Sequence, residues 1–218
     1  MLSLTEENHL KAIFHLSSVD NKDVSTNAIA DSLKTKAPSV TDMLKKLSDK
    51  NLINYKKYQG SFLTPIGRKT ALDIIRKHRL WEVFLVEKLG FNWSEVHEVA
   101  EQLEHIKSKK LIDELDKFLD YPTKDPHGDP IPNTAGFIKY SRRSLLSDLA
   151  IGESGKFIGV KDSSSAFLKF LDKRKIALGT NIQILHIEDF DNSIHIGLDE
   201  TNLTISMKSA NNIYVTKI

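Results

Sequence analysis

Residues 39–53 read SVTDMLKKLSDKNLI, and the fold of the whole N-terminal part turns on this stretch. Val40, Met43, Leu44 and Leu47 recur at three- and four-residue steps, the period of one helical face. Ser39, Thr41, Asp42, Lys45 and Lys46 fall outside that stripe, so the helix turns a polar, basic side outward. Pro38, just ahead, suits a first helical turn, where the amide it lacks would have no partner. Upstream, Val24-Ser25-Thr26 opens a helix that puts Ala28, Ile29 and Leu33 inward. A further helix runs Leu4–Leu16, with Leu10, Ile13, Phe14 and Leu16 apolar and an acidic first turn at Thr5-Glu6-Glu7. Downstream, LINYKKYQGSFLTPIG (52–67) reads as a hairpin: Leu52, Ile53 and Tyr55 lead in, Gln59-Gly60 turns, and Phe62 and Leu63 return.

Two short helices on a tight connection, the second basic outside, followed by a two-stranded wing, describe a winged helix-turn-helix. In that arrangement the second helix enters the major groove of duplex DNA and wing lysines meet phosphate. The charge distribution agrees. The chain of 218 residues has a net charge of only +2. Yet residues 34–57 hold seven lysines (34, 36, 45, 46, 50, 56 and 57) against Asp42 and Asp49. A basic segment in a near-neutral protein is the footprint of a phosphate contact. Any small helical domain with an incidental hairpin is the alternative reading of the same pattern.

Beyond the wing, Pro65 starts a long helix through Leu89 that carries His78 and Glu82 four residues apart. Helices follow over Ser94–Lys107 and Lys109–Leu119. The segment 121–140, YPTKDPHGDPIPNTAGFIKY, holds four of the six prolines (Pro122, Pro126, Pro130 and Pro132) and reads as an ordered loop or linker. After Leu145 the period shortens to five strand-like runs, KFIGV, TNIQILHI, SIHIGL, LTISM and NIYVTKI, with one helix over Ser164–Leu171 between them. Such a series suggests a small β-barrel.

A second stretch carries the chemistry. VHEVAEQLEHI (96–106) packs two histidines and three glutamates into eleven residues. On a helix, Glu101 lies about 40° from His97, Glu104 about 20° the other way and His105 about 80° round, so all four share one stripe. Imidazole nitrogen beside carboxylate oxygen suits a divalent transition ion. A solvated helix face is the competing account. The chain has no cysteine, which removes disulfides, zinc-cysteine sites and thiol catalysis together. A metal must then be held by His, Asp, Glu, Asn or backbone oxygen, which favours a harder ion such as manganese or ferrous iron. No apolar run reaches transmembrane length, and MLSLTEENHL lacks a basic region followed by an apolar one. The expectation is a cytoplasmic protein with no membrane partner.

Assembled in this order, the chain resembles the diphtheria-toxin-repressor family of metal-dependent transcriptional repressors over essentially its full length. The resemblance rests on RKHRLWEVFL (76–85), VHEVAEQLEHI (96–106), DPHGDPIP (125–132) and SVTDMLKKLSDKNLI (39–53). It implies a mainly α chain with a small β domain, divided into three: a winged helix-turn-helix at 1–70, a helical metal-binding and dimerisation domain with its Pro-rich loop at 71–140, and an SH3-like, FeoA-type β-barrel at 144–218. It implies a homodimer that binds a palindromic DNA operator with a divalent corepressor, represses metal-uptake genes when metal is plentiful, and is no enzyme. Glu101, Glu104, His105 and His78 fall on the family's primary ligand positions. A carboxylate at 101, where iron-responsive members carry sulfur, points to Mn2+, with Fe2+ the alternative.

The chain departs from the family pattern at Asn8, which stands where relatives have Asp or Met, and at Lys11, where some have a second carboxylate. Glu7 or His9 could substitute for Asn8. A second metal site uses His78, Glu82 and His97 in one scheme, or Glu82 with Asp125, His127 and Asp162 in another. For DNA, the resemblance puts Ser39, Thr41 and Asp42 at the groove, with Asp42 accepting from a cytosine amino group or orienting a lysine. Lys36, Lys45 and Lys46 meet phosphates, Lys56 and Lys57 lie in the wing, and Pro38 offers an apolar contact to thymine methyls. Two other classes compete with this reading. A metal-dependent hydrolase is disfavoured because no glycine-rich phosphate loop, nucleophile elbow or HExxH is present. The other is a winged-helix regulator gated by an organic ligand.

Overall fold

The computed structural model describes residues 2–20, 23–56, 59–139, 142–198 and 201–218. The chain forms two compact units, Met1–Trp81 with Ala100–Leu115 and Pro132–Ile138, and Glu82–Val99 with Asp116–Ile131 and Lys139–Ile218.

The first unit contains α1 (Leu4–Asp20), α2 (Thr26–Ser32), α3 (Ala37–Asp49), β1 (Ile53–Lys56) and β2 (Gly60–Leu63). It also takes in α4 (Pro65–Leu89) as far as Trp81, the end of α5 (Val96–Leu103) and most of α6 (Lys109–Phe118). Ser25 caps α2, its hydroxyl accepting from the Ala28 N–H at 3.1 Å, which satisfies one of the four free amides of a helix start. Leu10, Ile13 and Phe14 of α1, Ile29 of α2, and Val40, Leu44 and Leu47 of α3 meet Ile53, Ala71, Leu72 and Ile75 in one core. Full burial of each such side chain contributes roughly 1.5–3 kcal/mol. Because α3 spends its apolar stripe on this core, its other face is left to solvent.

The hairpin pairs Ile53 with Leu63 and Lys56 with Gly60. Val24 extends it by one bridge, exchanging backbone bonds of 2.8 and 2.9 Å with Ser61. Thr64 joins the wing to α4: its hydroxyl donates to the Asn51 carbonyl at 2.8 Å and accepts from the Gly67 N–H at 3.0 Å. Gly67 lies so close to Leu52 that a Cβ would overlap the Leu52 carbonyl.

The second unit is built on a six-stranded antiparallel sheet in the order β3-β8-β4-β5-β6-β7. Its strands are β3 (Ser144–Leu145), β4 (Ser154–Val160), β5 (Asn181–Ile187), β6 (Ile194–Gly197), β7 (Asn202–Ile205) and β8 (Ile213–Lys217). Phe157, Ile182, Ile184, Ile194, Ile196, Ile213 and Val215 point to one side, where Leu168 and Leu171 of α7 (Ser165–Lys173) cover them. Register shifts at Phe157/Gly159 and Ile184/His186 bend β4 and β5, which lets a short sheet curl round its core.

Three local expectations change. The helix expected over Ser94–Lys107 is shorter, because residues 104–107 are spent on the turn into α6, where Ser108 accepts from the Leu111 N–H. LTISM is a strand only to Ile205, since Ser206 caps α8 (Met207–Ala210) by accepting from the Ser209 N–H. The two-residue β3, paired with Val215 and Tyr214, is too short to leave a period in the sequence. Among the described residues no helix is long and apolar enough to cross a membrane.

Gly67→Ala should lower stability by about 2–3 kcal/mol despite alanine's better helix propensity, because the overlap is with backbone that cannot turn aside. A urea midpoint that does not fall would show that α4 and the wing have room to separate.

Candidate metal centres and nucleic-acid interface

In the first unit the ionisable side chains gather round Glu104, which is wholly shielded from solvent. Its carboxylate accepts from Lys11 Nζ with both oxygens, at 2.7 and 2.8 Å, and meets His78 Nδ1 of α4 at 2.6 Å. Lys11 also reaches Glu101 at 3.4 Å. Burial pushes the Glu104 carboxyl up, but the His78 bond and the Lys11 charge outweigh it, and the group stays below the ordinary carboxylate range. His105 follows in the turn after α5. Its Nδ1 meets Glu7 at 2.6 Å, and its Nε2 faces Glu104 at 3.7 Å.

Of Glu7, Asn8 and His9 on α1, Glu7 is therefore the one that touches the cluster. Asn8 is half-buried beside it, and the His9 ring is turned to the Thr5 carbonyl at 2.7 Å.

In the second unit Glu82, 2% exposed, is the focus. His97 Nδ1 lies 3.4 Å from one of its oxygens and His127 Nδ1 3.5 Å from the other. Glu82, Asp125 and His127, all buried, each bring a potential ligand atom within 4.8 Å of the others. The loop that carries Asp125 and His127 is tightly specified. Asp125 Oδ1 accepts from the His127 and Asp129 N–H groups at 2.8 and 3.0 Å. The His127 carbonyl accepts from Val160 of β4 at 3.1 Å. Gly128 adopts φ +88° against Ile158 and Gly159, where a side chain would collide with backbone. Asp162 lies two residues past Val160, and its carboxylate accepts from the Ser164 N–H at 2.8 Å. It is not among the groups converging on Glu82.

Trp93 carries no mark of a role in the sequence, yet it orients His127. The His127 Nε2–H donates to the Trp93 carbonyl at 2.8 Å, and the indole stacks on the imidazole with centroids 6.0 Å apart. Nothing in the spacing marks this contact, because the acceptor is a backbone carbonyl 34 residues away.

Of the residues expected at DNA, Lys36, Pro38, Ser39, Asp42, Lys45 and Lys46 are exposed on and just before α3, and Lys56 is exposed on β1. Thr41 is half-buried and donates to the Ala37 carbonyl at 3.1 Å. Asp42 pairs with Lys45 at 3.3 Å, one helical turn on. Lys57 lies outside the described residues.

Known proteins match this arrangement segment by segment. Residues 1–61 match the iron dependent repressor N-terminal DNA binding domain, residues 64–133 the iron dependent repressor metal binding and dimerisation domain, and residues 145–217 the FeoA domain. Over 119 residues the chain is 34% identical to an HTH-type transcriptional regulator of Methanocaldococcus jannaschii, covering 55% of this chain and 95% of that one. The chain belongs to the iron-dependent repressor family. It is also similar to the iron-dependent repressor IdeR of Mycobacterium leprae, 28% identical over 191 residues that cover 85% of this chain and 74% of the relative. A manganese-dependent transcriptional repressor solved in complex with manganese superposes with a TM-score of 0.89 at 30% identity, covering 98% of this chain and all of the other.

Membership in the iron-dependent repressor family implies a divalent metal, and the donors here fit one. Glu82, Asp125 and His127 offer two carboxylates and an imidazole, with neither sulfur nor amine among them, a set suited to hard and borderline ions. With Nε2–H committed to Trp93, a neutral His127 keeps its Nδ1 lone pair on the Glu82 side, the outer-shell bond that commonly fixes a ligating histidine. Without an ion a proton does the same work. Burial lowers the His127 pKa, but the hydrogen bond and charge of Glu82, with Asp125, raise it further, and the net shift is upward.

The sign of the pH effect follows. Stability from His127 is fully present below its unfolded pKa near 6.5 and is lost as pH rises through the higher folded value. Metal-free protein should weaken across that window, by about 1.4 kcal/mol per unit of pKa separation, and His127→Gln should flatten the slope. Chemical denaturation at a series of pH values measures both.

Proposed function

We propose that this chain is a homodimeric, metal-gated repressor that binds a palindromic operator, with Mn2+ as corepressor and Fe2+ as the alternative. The observation that carries the reading is the convergence of buried carboxylate and imidazole donors in a chain whose first 61 residues match a DNA-binding domain. One set of ligands is Glu101, Glu104, His105 and His78, with Glu7 or Asn8 from α1. The other is Glu82, Asp125 and His127, with His97 on the outer side of Glu82 and Asp162 as a further candidate. A bound divalent ion supplies two positive charges against these carboxylates. The division of labour we assign is DNA reading by 1–70, metal binding and dimerisation by 71–140, and an SH3-like module at 144–218. Nothing in this scheme requires a catalytic step.

Gating needs only that the ligands be better placed in the DNA-competent conformation than outside it, since metal raises DNA affinity by that difference alone. In the groove, Ser39 and Thr41 lie where the reading helix begins, and Pro38 offers an apolar face. The Asp42–Lys45 pair favours the role of Asp42 as an orienter of lysine over that of a base acceptor. Lys36, Lys45, Lys46, Lys56 and Lys57 neutralise phosphate. Manganese is preferred over iron because every side-chain donor is oxygen or imidazole nitrogen, and Glu101 adds oxygen rather than sulfur.

The decisive experiment is affinity for a palindrome from the DNA upstream of the chain's own coding sequence, titrated with Mn2+ and Fe2+ at fixed salt. Tightening of tenfold or more, about 1.4 kcal/mol of coupling, is expected, and Glu104→Ala should abolish it. Tight binding indifferent to metal and chelator would instead mean an ungated or organically gated regulator. Lys45→Ala and Lys46→Ala should each weaken binding evenly across sequences and reduce the salt slope by about one. Loss confined to one operator would mean that they read bases.

A further inference from the structure

The side chain that departs furthest from a metal site is also the one most deeply engaged in it. Lys11 is a cation on the α1 face that also carries Glu7, one helical turn away. Its ammonium bridges both oxygens of Glu104 at 2.7 and 2.8 Å and extends to Glu101 at 3.4 Å, while its side chain is only 14% exposed. We propose that Lys11 is a tethered competitor of the divalent ion at the Glu101–Glu104 pair, so that its charge sets how much metal this site needs before it fills. The inference rests on reading Glu101 and Glu104 as ligands.

The physical case is one of shared lone pairs. Glu104 is fully buried, so its charge has to be answered inside the protein. Lys11 and His78 answer it, so the Glu104 carboxylate has its partners with no ion present. A divalent ion on Glu104 needs the lone pairs that the ammonium now holds, and like charges a few ångströms apart repel strongly in a shielded site. The ion therefore enters only as Lys11 leaves. The lysine has the means to leave, because a four-carbon stem with three rotatable donors carries its charge to water without moving the helix. A carboxylate at position 11 would have the reverse effect, since it would add a ligand and leave the empty site self-repelling.

The test is Mn2+ affinity by equilibrium dialysis on the full chain carrying Asp125→Asn. That substitution removes one carboxylate from the Glu82 cluster but keeps an Oδ1 for the two backbone bonds of the loop. Adding Lys11→Met should tighten Mn2+ binding at least tenfold, and Lys11→Arg should leave it near the parent value. Lys107→Met makes the same change in net charge at a lysine that contacts the Leu2 carbonyl, and should change affinity less than twofold. Should Lys11→Met fail to fold without metal, Lys11→Gln keeps a polar end, and Mn2+ should raise its melting temperature more than the parent's. The proposal is overturned by a Kd within twofold of the parent in both Lys11→Met and Lys11→Gln, or by equal tightening in Lys107→Met. Because the readout is bound metal, failure of metal-dependent operator binding would sink the functional reading and leave this one standing. Absence of Mn2+ uptake in every variant would end both.

Discussion

A carboxylate that water cannot reach must find its counter-charge within the protein, and in the first unit Glu104 is that carboxylate. Its partners arrive from two places in the chain, Lys11 from α1 and His78 from α4, while a turn just past α5 holds Glu104 itself. Removing one member of such a buried pair commonly costs about 3–5 kcal/mol, because the survivor is left charged in a poor solvent. Hence the geometry of this cluster and the placement of α1 against α4 are one problem. The apolar contacts of Leu10, Ile13 and Ile75 make the same juxtaposition favourable, but they specify no rotation of α1 about its axis. The ion pairs do, since only one face of α1 carries both Glu7 and Lys11.

The second unit solves its own version by backbone means. Asp125 is tied down by two amides of its loop, His127 by the Trp93 carbonyl on one side and Val160 on the other, and Gly128 lets the loop lie flush on β4. Two buried ionisable groups are thus held by a frame that is mostly main chain. A frame of that kind is insensitive to side-chain rearrangement and is pre-organised for a ligand.

Much of this was legible in the sequence. The stripe Val40, Met43, Leu44, Leu47 and the turn at Gln59-Gly60 announce α3 and the wing, because period and turn chemistry are local properties. The alternating strands announce the sheet for the same reason. What stayed out of reach was the partner of each charge. Lys11 stands out as a departure at its position, but nothing near it in the chain says that its ammonium lands on a carboxylate 93 residues away. Asp42 could be read as a base acceptor or as an orienter, and only coordinates show it beside Lys45. The stripe from His97 to His105 is one surface on a helical wheel. In the folded chain its members have different partners: Glu82 for His97, Lys11 for Glu101, Lys11 and His78 for Glu104, and Glu7 for His105. A helix ending at Leu103 releases the last two from the wheel's geometry.

The stacking of Trp93 on His127 has a use beyond orientation. Only two tryptophans occur in the chain, and this one is fixed at both ends, its carbonyl on the imidazole and its indole Nε1–H donating to Asp172 at 2.8 Å. An indole held rigidly beside a ring proposed as a metal ligand is a natural optical probe. Its emission responds to the charge on that ring and is quenched by paramagnetic ions nearby. Occupancy of this one cluster can therefore be followed through native fluorescence, with no label attached and no DNA present.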